Sequence, residues 1–176
     1  MKEFMRALFD PERGAFRYLS GYLDGSGGMV RAEISEFDPN ADTPKALFEN
    51  DHFKVSAVGV KHGSVPALGY LVEVRGRRIA FAGDQNGDNP AFAAMIKGAD
   101  ILIMDHAVPE MADPVSRQLH AGPSDIGLLA AKAGVGRLVL SHNMARSLGH
   151  LKENLALIRQ HYEGRTTVAK DLMCFD

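Results

Sequence analysis

The stretch Arg77-Arg78-Ile79-Ala80-Phe81-Ala82-Gly83-Asp84 decides the fold. It is an apolar, strand-like run that ends in a carboxylate, with one glycine between the two. Two other runs in the chain end the same way. Val55 to Val60 leads through Lys61 to His62, and Leu138 to Leu140 leads through Ser141 to His142. A side chain just past the end of a buried strand is held by the sheet yet open to a ligand, and binding sites in α/β sheets favour such strand ends. Imidazole and carboxylate are the donors of a zinc-type site that leaves room for water. Repeated three times, the pattern points to a metal centre built from His62, Asp84 and His142.

Working outward, Leu68 to Val74 and Arg77 to Ala82 flank Arg75-Gly76 and read as a tight hairpin. From Pro90 onward helix and strand alternate. Ala91 to Lys97 is a short helix and Ile101 to Met104 a buried strand. Ser124 caps a helix running to Ala133 and stopped by Gly134, and Arg137 to Leu140 is the next buried strand. Leu151 to Tyr162 is an amphipathic helix, with short strands at Thr166 to Ala169 and Leu172 to Phe175. Before the hairpin, Glu3 to Asp24 is helical with a break between Pro11 and Gly14. Met29 to Phe37 alternates like a strand, Pro39 to Pro44 is a loop, and Phe53 to Val60 is a strand. The expected organisation is a helical linker and first strand over 1–49, followed by a half domain over 50–176. The fold class is α/β, or α+β layered, with a sheet against helices.

Composition excludes several classes of function. The chain has 176 residues, enough for one domain with a sizeable core. A formal net charge of −2 and no basic block argue against a broad nucleic-acid footprint, while leaving a small local one open. The lone Cys174 rules out an internal disulfide and a cysteine-based zinc cluster. No apolar run approaches the roughly 18 residues of a membrane span. Met1 to Arg13 mixes charged and apolar residues and has no signal-peptide core, so a soluble, cytoplasmic chain is expected as given; a longer parent could be exported. The run Gln85 to Asn89 lacks the closing glutamate of a calcium loop and reads as a polar turn. No G-x-S-x-G is present, and Gly25 to Gly28 follows no strand, so serine-hydrolase and phosphate-loop readings are unsupported.

Four stretches, taken in order, resemble the metallo-β-lactamase superfamily, and within it the ribonuclease Z-like and related phosphodiesterase or arylsulfatase-type hydrolases. Val58-Gly59-Val60-Lys61-His62-Gly63, followed by Ala67-Leu68-Gly69-Tyr70, is similar to the family's third histidine motif and the strand after it. Ile79 to Asp84 is similar to the segment carrying the bridging aspartate. Leu119-His120-Ala121-Gly122-Pro123-Ser124 looks like the histidine that opens the following helix, and Leu138 to His142 like the last histidine motif. The resemblance covers roughly 50–176 and implies the C-terminal half of an αββα sandwich.

By that resemblance His62 and His142 each bind an ion and Asp84 bridges them, the ions being zinc or manganese. Such a pair of ions shares a carboxylate and clamps the leaving oxygen. His120 is then the catalytic proton donor, a role suited to a group titrating near neutrality. Asp105 and His106 stand in place of a family segment and would orient a ligand histidine from behind, or Asp105 would assist His120. The implied substrate is a small-molecule or nucleotide ester: a phosphodiester, a sulfate ester or a lactone.

The family's H-x-H-x-D-H motif is missing from this sequence. Two ions are therefore expected only in the complete family fold, and one or none here. The expectation is a truncated hydrolase, weakly active or inactive, with an exposed sheet face that drives homo-oligomer formation. The rival is a non-catalytic half-fold that pairs with itself or a partner and keeps the ligands as relics.

Overall fold

The computed structural model describes residues 2–174. The chain divides into two units, Met1–Asp38 and Pro39–Asp176. In the first, helix α1 spans Lys2–Phe9 and the short helix α2 spans Gly21–Asp24. The expected helix break falls between them, where Asp10 Oδ1 accepts from the backbone N–H groups of Glu12 and Arg13 and closes a local turn that competes with helix. Phe9 and Tyr22 bring the two short helices together, with ring centroids 5.5 Å apart. The strand expected at Met29 to Phe37 does not form. Exposed and half-buried residues are interspersed there without strict alternation, and the segment is irregular and carries no sheet pairing among the described residues. Period-two patterning marks two faces; only a neighbouring strand makes it sheet.

The second unit is built on one seven-stranded sheet in sequential order. Its strands are β1 (Lys45–Glu49), β2 (Phe53–Val60), β3 (Ala67–Val74), β4 (Arg77–Phe81), β5 (Ile101–Asp105), β6 (Arg137–Ser141) and β7 (Arg165–Val168). β1 to β4 form an antiparallel meander, and β4 to β7 are parallel. The expected hairpin is present: Val74 pairs with Arg77, and both turn residues have positive φ, 50° at Arg75 and 75° at Gly76, as a two-residue type I′ connection requires.

Helices α3 (Pro90–Met95), α4 (Pro114–Leu119), α5 (Pro123–Ala133), α6 (Ala145–Leu148) and α7 (Leu151–Arg159) fill the connections. Pro stands at the first turn of α3, α4 and α5, where a missing N–H costs nothing. The cap of α5 differs from expectation. Gly122 is its N-cap, and the Glu110 carboxylate accepts from Ser124 N at 3.0 Å in place of a cap side chain. Gly134 closes the helix in the left-handed conformation, as anticipated. The strand expected at Leu172 to Phe175 is a turn and irregular chain through Cys174, and Phe175 lies outside the described residues.

Alternate residues of the central strands (Val58, Leu71, Ala80, Leu102, Met104, Leu138 and Leu140) pack with Phe92, Ile96, Ile126, Ala130 and Ile158 from α3, α5 and α7 in one core. Burying each of the larger side chains among them contributes about 1.5–3 kcal/mol. The intervening residues point to the other face, where Tyr70, Val72, Ile79, Ile101 and Ile103 are half-buried and Phe81 is exposed. No described helix is long and apolar enough to cross a membrane.

β3 and β1 run against the other strands, so β2, β4, β5 and β6 all end at the same edge of the sheet. That edge carries the site.

Candidate metal centre

Asp84 reaches the edge through Gly83, which has φ +65°, and a Cβ there would stand 2.7 Å from the carbonyl oxygen of Leu68. Only glycine fits both the backbone conformation and the gap. Gly83→Ala is expected to destabilise the protein by about 1–3 kcal/mol, read as a fall in the urea midpoint; an unchanged midpoint contradicts this.

His62 follows β2, and its Nδ1–H donates to the carbonyl of Leu119 at 2.7 Å. That bond fixes the tautomer and leaves the other ring nitrogen free as a lone-pair donor. The loop is tied to the same segment by Gly63 N, which donates to Gln118 O at 3.1 Å. His120 enters from the crossover between β5 and β6, at the end of α4. Its Nδ1–H donates to Asp105 Oδ2 at 2.8 Å. Both groups are buried, His120 at 6% and Asp105 at 3% exposure. Burial lifts the Asp105 carboxyl above the ordinary carboxylate range, against the opposing pull of the His120 bond. The second carboxylate oxygen, Asp105 Oδ1, is buried with no hydrogen-bond partner.

His62, Asp84 and His120 each offer a ligand atom within 4.8 Å of the others. The rings of His62 and His120 meet edge-on at 5.1 Å, and those of His120 and His142 are 5.7 Å apart. His142 Nε2 lies 3.6 Å from Asp84 Oδ2, with both side chains partly open to solvent. Its backbone has φ +50°, a strained conformation for a residue with a Cβ. Five of the six residues singled out from the sequence therefore meet: His62, Asp84, His120 and His142 as neighbours, with Asp105 behind His120. The mixed imidazole and carboxylate donors suit zinc or manganese.

His106 sits elsewhere. It is fully buried, its Nδ1–H donates to Asn143 Oδ1 at 2.9 Å, and its Nε2 accepts from Asn154 Nδ2 at 3.0 Å. Successive residues at a strand end point to opposite faces, so Asp105 facing the site turns His106 towards the helices. That alternation was the signal in the sequence that could have separated the two. Burial lowers the His106 pKa from the ordinary 6.5, and protonating Nε2 would also break its bond from Asn154. Between the folded and unfolded values the unfolded chain binds more protons, so this contribution is full above pH about 6.5 and is lost as pH falls below it, with a slope of up to about 1.4 kcal/mol per pH unit. NMR titration should find the His106 ring still neutral at pH 6.5, and urea unfolding should show the matching loss on acidification. A ring half-protonated at or above that pH contradicts this.

The histidine–aspartate cluster thus stands at the strand ends of a mixed sheet with helices on its core face, the arrangement of a candidate metal centre. Known folds agree. The metallo-beta-lactamase fold protein YhfI from Bacillus subtilis matches with a TM-score of 0.65 at 19% identity, over 89% of this chain and 61% of that one. Zn2+-bound PqqB from Methylobacterium extorquens matches with a TM-score of 0.63 at 18% identity, over 91% and 61%. In sequence, the family described as the beta-lactamase superfamily domain matches residues 23–143, and the chain belongs to that superfamily. Ribonuclease Z from Methanosarcina acetivorans is 32% identical over 179 residues, covering 86% of this chain and 57% of the relative. The chain thus spans a little over half the length of that relative.

Proposed function

We propose that this chain is a metal-dependent hydrolase of a phosphodiester or similar ester bond, with His62, Asp84 and His142 as metal ligands and His120 as proton donor. The observation that carries the reading is the convergence of His62, Asp84 and His120 within 4.8 Å, with His142 Nε2 3.6 Å from Asp84 Oδ2 and with His62 and His120 each hydrogen-bonded from behind through Nδ1. The phosphodiester preference rests on the likeness to a ribonuclease Z, and zinc on the donor set and the Zn2+-bound structural relative. When bound, the ion supplies Lewis-acid charge stabilisation at the scissile group. Asp84, whose Oδ2 lies 3.6 Å from His142 Nε2, would be the carboxylate ligand of that ion. As the imidazolium, His120 would give the proton on its free ring nitrogen to the leaving oxygen, and Asp105, accepting from Nδ1–H, orients the ring and stabilises its charged form.

His120 also lies close enough to His62 and Asp84 to be a ligand itself. Its bond to a buried carboxylate favours the proton-transfer role, and variants separate the two. With no H-x-H-x-D-H run in the sequence, the ligand set holds one ion, and turnover by the chain alone is slow. The test is zinc content of the purified protein together with hydrolysis of a chromogenic phosphodiester. Absence of both favours the second reading, a non-catalytic half-fold with relic ligands.

The same chain is proposed to self-associate as a homodimer through the sheet face turned away from α3, α5 and α7. Phe81 on that face is 40% exposed, in an apolar row with Ile79, Ile101 and Ile103. Sedimentation at micromolar concentration is expected to show a dimer that Phe81→Glu dissociates; a wild-type monomer overturns this.

A further inference from the structure

His106, Ser147 and Asn154 are each no more than 1% exposed, and the chemistry above uses none of them. Besides its bonds to Asn143 and Asn154, His106 donates its backbone N–H to Ser141 O at 2.8 Å. Asn143 Nδ2 donates to the carbonyls of Leu140 and Ala169 at 3.1 and 3.2 Å. Asn154 Nδ2 also donates to Ser147 O at 3.0 Å, and the Ser147 hydroxyl lies between the carbonyls of His106 and Met144. These bonds fall on residues 140, 141, 143 and 144, on both sides of His142. Between them His142 holds φ +50°, a conformation that persists in a residue with a Cβ only where its surroundings over-determine it.

We propose that His106, Asn143 and Asn154 are positioning residues: their network, buried at His106 and Asn154 and anchored on α7, holds His142 in the left-handed conformation that sets its Nε2 3.6 Å from Asp84 Oδ2. The effect on metal binding rests on the reading of His142 as a ligand; the effect on its backbone does not.

Three variants probe the network. Asn143→Ala and Asn154→Ala remove donors, and His106→Gln keeps one donor and one acceptor. Ile158→Ala loosens the packing of α7 without touching a polar group. Two readouts apply: the HN–Hα coupling and Cα and Cβ shifts of His142 in metal-free protein, and Zn2+ affinity by competition calorimetry. The alanine variants of Asn143 and Asn154 should lose the left-handed signature and bind Zn2+ about 10- to 100-fold more weakly. His106→Gln should retain more of both, and Ile158→Ala should change neither. A His142 signature unmoved in the asparagine variants, or moved as far by Ile158→Ala, overturns the inference. If Asn143→Ala fails to fold, Asn154→Ala and His106→Gln decide. If the wild type binds no Zn2+, the metal reading fails while the backbone signature still judges the network.

Discussion

His62→Ala is expected to weaken Zn2+ binding by two to three orders of magnitude while the fold stays intact. Structural zinc sites bind with roughly 10–16 kcal/mol over four ligands, so one ligand is worth about 2.5–4 kcal/mol. His62 is suited to that role because its Nδ1–H is already committed to Leu119 O. No ring reorientation is needed before the other nitrogen can bind, and the alanine variant discards a prepared donor. His62 is only half-buried and sits in a loop after β2, so removing its ring leaves the core of Val58, Leu102 and Leu138 untouched. Competition calorimetry reads the affinity and urea unfolding reads the fold. Unchanged affinity excludes His62 from the site, and a collapsed fold gives the residue a structural role instead.

His120→Ala should separate chemistry from metal binding. A positioned general acid contributes about 10²–10⁴-fold, so phosphodiester turnover should fall by that much while zinc content stays near wild type. If zinc is lost together with activity, His120 is a ligand. A second signature comes from Asp105. In the wild type its Oδ1 is already unpartnered and Oδ2 bonds His120. Removing the imidazole strips both the hydrogen bond and the nearby positive charge that oppose desolvation, so the carboxyl should move further upward and hold its proton to higher pH. Replacing Asp105 with Asn keeps a hydrogen-bonding side chain but removes the charge that steadies the protonated imidazole. That variant should lose turnover and keep zinc, as His120→Ala does.

The sheet and most of the site were legible because both are written in short-range pattern. An apolar strand ending in a donor is visible at His62, Asp84 and His142, and Arg75-Gly76 declares its hairpin through left-handed backbone that few residue pairs accept. Segments whose fate depends on neighbours were not legible. β1 is exposed at all five positions, so it has no buried face for alternation to reveal; its only claim to strand is the edge of β2. Met29 to Phe37 errs the other way, with alternating residue types but no partner strand. α4 was missed because Pro114–Leu119 is six residues long, less than two turns, and is marked chiefly by the Asp113 cap. Asp105 and His106 are adjacent in sequence and opposite in space, so their division of labour emerges only when the sheet faces are assigned.

The reversal at β3 has a consequence for how this architecture can change. His62 and Asp84 share an edge because an even number of turns separates their strands. With hairpin connections, one extra strand, or one lost, would send one of them to the far end of the sheet, about 26 Å away for the eight residues of β3. Loops between β2 and β4 can lengthen, shorten or change composition without disturbing that parity. While these connections stay hairpins, strand number there cannot change by one and keep the cluster, so variation among functional relatives should accumulate in the turns and come to the hairpin strands only in pairs.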